Sequence, residues 1–227
     1  AEQPSVQLAP NSEYQLAQAS DNVRVQLDYY TTAAHYIHLR YGLTATHSEV
    51  IRAVEQHHVA PCNTLDMGAG QGRNALYLAL QGFDVTAVDT NPNGLANIAQ
   101  IAAEERIPAR TELYDLNQAA LQHDYGFIVS TVTFMFLERD RVPAIIADMQ
   151  AHTQSGGYNL IVSAMNTADY PCQMPFSFTF RENELRDYYA GWKFMTYEEA
   201  PGNMHATDTS GNPIRLKFVT MLAQKPA

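Results

Sequence analysis

The chain has 227 residues, 46% of them apolar and 17% charged, which is enough for one sizeable core and short for two domains of ordinary size. Lys and Arg total 14 against 24 Asp and Glu, and the resulting net charge of −10 repels phosphate backbones and anionic lipid, so neither nucleic acid nor a membrane surface is an expected partner. The two cysteines, Cys62 and Cys172, form no CxxC, which excludes a disulfide framework and a zinc ribbon and points to a reducing, cytoplasmic setting; no apolar run reaches the roughly 18 residues that a membrane span requires.

Residues 1–35 are polar and rich in Gln, Asn and Ser, and read as a poorly ordered or docked N-terminal extension ahead of one domain over 36–227. Thr46-His47-Ser48-Glu49, just before Val50, Ile51 and Val54, has the spacing of a capping box and predicts a helix ending near His58. Short apolar runs then alternate with helical stretches. Strands are expected at 64–67, 83–88, 109–114, 125–131, 158–164, 192–198 and 214–223, and helices at 71–80, 93–105, 142–152 and 182–189. Interleaving of this kind specifies an α/β fold with a parallel sheet covered on both faces. The last two strands differ, because only a turn-rich loop, Pro201 to Pro213, separates them; they should pair as an antiparallel hairpin.

The first strand runs into Asp66-Met67-Gly68-Ala69-Gly70-Gln71-Gly72-Arg73-Asn74. A dinucleotide fingerprint would place a third glycine at position 73, which is Arg; the spacing is instead D-x-G-x-G-x-G. A carboxylate beside this turn opposes a pyrophosphate and suits a ligand with an ammonium and a sulfonium, such as S-adenosyl-L-methionine. Asp89 closes the next strand, where it either accepts from a ribose diol or caps the helix beginning near Pro92. Asp115 follows the third strand and is placed to meet an adenine amino group. His57 and His58 have no ligand-type partner one helical turn away, so no metal site is expected.

These features resemble class I S-adenosylmethionine-dependent methyltransferases and, more narrowly, the bacterial tellurite-resistance methyltransferases of the TehB family. The likeness spans about Tyr36 to Lys225 and is carried by Tyr41 to Val50, Gly72 to Leu78, Ser130 to Leu137, Gly156 to Val162, Asn166 to Cys172, and Glu184 to Tyr189. It implies a Rossmann-like seven-stranded, mostly parallel sheet of order 3-2-1-4-5-7-6 with an antiparallel C-terminal strand. It also implies a cofactor pocket at Asp66, Gly68, Gly70, Arg73, Asn74, Asp89, Asp115, Leu116, Ser130, Thr131 and Val132. The implied activity is methyl transfer to tellurite, selenium oxyanions or soft organic nucleophiles.

On the acceptor side the resemblance points to His205, in the loop before the last strand, as the catalytic residue, holding an anionic acceptor when charged or removing a proton when neutral. Two arginine positions of the family's loop hold Ala206 and Pro213, which removes bidentate recognition of an oxyanion. Tyr36, Arg40, Tyr41 and Tyr170 are candidates for the walls of a small-molecule acceptor pocket, whereas Phe176, Phe178 and the Cys172 thiol read as ordinary packing. Competing readings are a small-molecule O- or N-methyltransferase with His205 as a true base, and a non-catalytic binder of the same cofactor. The sequence leaves monomer and homo-oligomer equally open.

Overall fold

The computed structural model describes residues 32–227; residues 1–31, most of the expected N-terminal extension, lie outside the described residues. Helix α1 occupies Thr32–Tyr41, so 32–35 belong to a helix, and α2 occupies Ser48–Glu55. There follow β1 (Asn63–Met67), α3 (Arg73–Leu80), β2 (Asp84–Asp89), α4 (Pro92–Glu105), β3 (Ala109–Leu113) and β4 (Tyr125–Thr131). The chain is completed by α5 (Val142–Ala151), β5 (Thr153–Ala164), a short α6 (Glu184–Tyr188), β6 (Lys193–Thr207) and β7 (Pro213–Gln224). The strand order is β3-β2-β1-β4-β5-β7-β6, as the family resemblance implies.

The chain divides into two compact units. The first comprises the described part of Ala1–Pro61 together with Ala69–Leu113; the second comprises Cys62–Gly68 and Tyr114–Ala227. In the first, β2 and β3 pair in parallel, Val85 against Ala109 through Asp89 against Leu113, with α4 between them in sequence as a crossover. In the second, β1 pairs in parallel with β4 and β4 with β5, while β7 is antiparallel to both β5 and β6. Every residue of β4 is buried, as are the last six of β5, which is why both read as apolar runs without alternation.

Three sequence expectations are corrected. The segment Pro201 to Pro213 is mostly strand, since β6 continues to Thr207 and the turn is confined to 208–212. There Asp208 Oδ1 accepts from the N–H groups of Ser210 (2.9 Å) and Asn212 (3.0 Å), and Gly211 has φ +81°. Pro201 fits because β6 is an edge strand, so its missing N–H costs no ladder bond on the solvent side. The cap of α2 is His47, whose Nδ1 accepts from Glu49 N–H at 3.1 Å; Thr46 instead donates to the carbonyl of Arg73 at 2.7 Å. Helix α2 ends at Glu55 rather than near His58, which has φ +55°.

Candidate functional site

In the first unit the glycine turn is organised around Asp89. Its Oδ2 accepts from Gly70 N–H and its Oδ1 from Asn91 N–H, each at 2.9 Å. Two backbone donors therefore fix the orientation of the carboxylate while lone pairs remain for a further donor. Asp89 does not cap α4; Asn91 does, accepting from Asn93 N–H at 3.0 Å. Gly70 has φ +58°, and a Cβ built there would meet nothing within 4 Å, so the chain turns left-handed beside open space. Arg73 and Asn74 face the segment before α2: Arg73 Nη1 donates to Ala45 O at 3.2 Å, and Asn74 Oδ1 accepts from His47 N–H at 2.9 Å.

Tyr36, Arg40 and Tyr41 converge on Glu105, the last residue of α4. Tyr36 donates to Glu105 Oε1 at 3.1 Å, Tyr41 donates to the same oxygen at 2.5 Å, and Arg40 pairs with it at 3.0 Å. Burial, opposed in part by the Arg40 hydrogen bond, raises the Tyr36 pKa; burial and the Glu105 carboxylate raise that of Tyr41. A helix rises about 1.5 Å per residue, so the length of α4 separates this cluster from Asp89 by roughly 20 Å. The structure thus sets these three at the far end of α4 from the glycine turn. Glu105 carries no motif in the sequence, and only the packing of α1 singles it out.

The second unit holds the other predicted residues. Asp66 is 2% exposed at the end of β1. Gly68 follows with φ +77°, and a Cβ there would stand 2.5 Å from Thr133 Oγ1, whose hydroxyl also donates to Thr131 O at 3.1 Å. Thr133 is a residue that the motif reading missed, although it sits in the Ser130-Thr131-Val132-Thr133 string. Val132 has φ +48°, a conformation that a β-branched residue adopts only under constraint; its N–H donates to Val162 O at 2.7 Å. Ser130 is fully buried, and its Oγ has no hydrogen-bond partner among the described residues. Asp115 Oδ1 accepts from Asn117 N–H at 3.0 Å, holding the short turn that buries Leu116.

Tyr170 closes a turn with Thr167. His205 lies in β6 rather than in a loop, two residues before its end. Among the described residues no group of His, Cys, Asp and Glu is placed to hold a metal ion, and no helix is long and apolar enough to cross a membrane.

Within the first unit the residues present fit S-adenosyl-L-methionine: the Asp89 carboxylate keeps lone pairs for a diol, and the left-handed Gly70 backbone leaves room beside it. Solved structures of that architecture share the fold. Magnesium protoporphyrin IX methyltransferase from Synechocystis, solved with bound SAH, superposes with a TM-score of 0.60 over 80% of its own length and 78% of this chain at 16% identity. Strand order, glycine turn and strand-end acids together define a class I methyltransferase fold.

The profile of the family described as "Tellurite resistance protein TehB" matches residues 29–222, and the chain belongs to that family. A protein named "Probable S-adenosyl-L-methionine-dependent methyltransferase TehB" from Haemophilus influenzae strain 10810 is 49% identical over 95% of this chain and 75% of its own. The crystal structure of TehB from Haemophilus influenzae superposes with a TM-score of 0.83 at 52% identity, over 85% of this chain and 67% of that one. A protein of Eikenella corrodens named "Hemagglutinin 1" is 58% identical over 96% of this chain and 72% of its own. The chain is an S-adenosyl-L-methionine-dependent methyltransferase of the TehB type.

Proposed function

We propose that the chain methylates a small soft nucleophile, a tellurite- or selenite-type oxyanion or a thiol-like metabolite. When bound, S-adenosyl-L-methionine supplies an electrophilic methyl group on a sulfonium. In this reading Asp66 and the Gly68 and Gly70 backbone serve the methionine moiety, Asp89 the ribose diol, and Asp115 with Leu116 the adenine. Arg73 and Asn74 keep the turn in place, and Ser130, Thr131 and Val132 lie along the methyl-bearing side. The observation that carries the reading is Asp89, a carboxylate fixed in place by two backbone N–H groups at the end of a parallel strand.

A methyl transfer is an in-line displacement in which charge disperses, so positioning and exclusion of water supply most of the rate. His205 is assigned to the acceptor: protonated it holds an anion, neutral it removes a proton. Tyr170 belongs to the same side. An acceptor screen read by S-adenosylhomocysteine release tests the reading directly, with tellurite, selenite and small thiols expected to give turnover. His205→Ala should then lose turnover while its calorimetric affinity for S-adenosyl-L-methionine stays that of the parent; a fully active variant removes His205 from the reaction.

A further inference from the structure

Within the second unit, the carboxyl ends of β4 and β5 carry a cluster that the cofactor residues do not account for. Buried Met135 is part of it, and Val132, Cys172, Met174, Phe176 and Met204 pack against it while only partly buried. Four of the chain's 8 Met and 2 Cys thus meet at one place. Val132 directly follows β4, so the cluster stands where parallel sheets receive their ligands.

The strap that supplies half of this wall is extended: Cys172, Met174, Phe176 and Phe178 turn inward, while Pro171, Gln173, Pro175 and Ser177 between them are exposed. Two prolines deny it a ladder, and it is clasped instead by single bonds. Cys172 N–H donates to Asn166 Oδ1 at 2.9 Å, and Ser177 Oγ donates to the carbonyl oxygens of Met135 (3.1 Å) and Leu137 (2.9 Å). At its edge Phe136 is 66% exposed and meets Phe176 edge-on, with ring centroids 5.7 Å apart. The hairpin's nearby cations face away, because Arg215 and Lys217 alternate with inward Leu216; Arg215 donates to Asn203 Oδ1 at 3.0 Å and Lys217 to Asp169 Oδ2 at 3.1 Å.

We propose that Met135, Cys172, Met174, Phe176 and Met204 are the specificity-determining wall of the acceptor site, and that it selects a reduced chalcogen, a thiol or selenol on a short apolar group, over an oxyanion. The proposal rests on the methyltransferase reading above and narrows its acceptor. Thioethers and aromatic edges are polarisable and match a soft, weakly hydrated atom, whereas an oxyanion would surrender its water to the thioethers, thiol and aromatic ring that form this wall. In the step itself the acceptor gives its proton to neutral His205, in the role assigned above, and its chalcogen lone pair forms the new bond to the methyl carbon. The sulfonium C–S bond breaks with its electron pair returning to sulfur, leaving a thioether or selenoether and S-adenosylhomocysteine.

The test compares the parent with Met174→Gln, Met204→Gln and Met174→Leu. Propanethiol and tellurite serve as separate acceptors, and dimethyl selenide is titrated calorimetrically as a product analogue. The parent should favour propanethiol by at least tenfold in kcat/KM. The two Gln variants should lose about tenfold of that activity and bind dimethyl selenide more weakly, with Met174→Leu falling between them and the parent and S-adenosyl-L-methionine affinity unchanged in all. Unchanged thiol turnover in both Gln variants, or a parent that prefers tellurite, overturns the proposal and leaves the methyltransferase reading standing. A parent that binds S-adenosyl-L-methionine but methylates neither acceptor overturns the wall, and one that does not bind it at all removes the reading beneath.

Discussion

Gly94 occupies the first turn of α4, where Ala would ordinarily be the better helix former by about 1 kcal/mol. Here the sign reverses, because a Cβ at Gly94 would stand 2.3 Å from the carbonyl oxygen of Gly70, in the turn whose next bond is Gly70 N–H to Asp89. Gly94→Ala should therefore displace that turn and weaken S-adenosyl-L-methionine binding by about tenfold, roughly 1.4 kcal/mol, in a calorimetric titration. A retained affinity would show that the backbone moves aside without touching the cofactor residues. Asp89→Ala removes the fixed carboxylate itself, and its expected loss in the same titration is about 1–3 kcal/mol. Thr133 gives a comparable residue-scale lesson: nothing in its spacing marks it, and its role comes from Gly68 lying against it.

At the scale of elements, α1 and the segment after it form a tether. Glu105 gathers Tyr36, Arg40 and Tyr41 at one end, and Ala45, Thr46 and His47 grip the start of α3 at the other. Thr46→Val, which keeps the shape and removes the hydroxyl, should cost about 1 kcal/mol in a denaturant melt. Within α1, burial lowers the pKa of His35 below its usual 6.5, with His38 adding to the effect and Glu55 opposing it. The folded state then prefers the neutral imidazole and binds fewer protons than the unfolded chain. Stability is full above about pH 6.5 and falls as the pH drops through that value toward the folded pKa. The hydrogen-exchange protection factors of α1 should accordingly fall between pH 7.5 and 5.5, and His35→Gln should flatten that dependence. The Tyr36 and Tyr41 shifts are upward and leave both hydroxyls protonated throughout this range.

For the molecule as a whole, a ligand that binds the native state and not the unfolded chain stabilises it by mass action. At a hundred times its dissociation constant the gain is about 2.7 kcal/mol, which for a chain of this size raises Tm by roughly 5–10 °C. S-adenosyl-L-methionine and S-adenosylhomocysteine should both produce that rise, and NAD should produce none. A rise with NAD alone would contradict the acidic glycine turn, where Asp66 is followed by Arg73 instead of a third fingerprint glycine.

The parallel strands, the terminal hairpin and the strand-end acids were legible because double-sided burial, turn chemistry and the left-handed glycines leave local marks that one chain segment carries by itself. The extent of β6 was not, since the residues from Pro201 to Thr207 look like a loop until β7 supplies their partners. Nor was the true cap of α2, decided when α3 drew Thr46 away. Tyr36, Arg40 and Tyr41 show the limit plainly: nothing in the sequence marks Glu105, the carboxylate at the end of α4 that all three meet. The amino-acid order set the type of each element and the chemistry of the cofactor turn, because these depend on neighbours within a few residues. Which side chains pair with one another across the fold was decided by contacts between segments distant in the chain, whose energies no local pattern records.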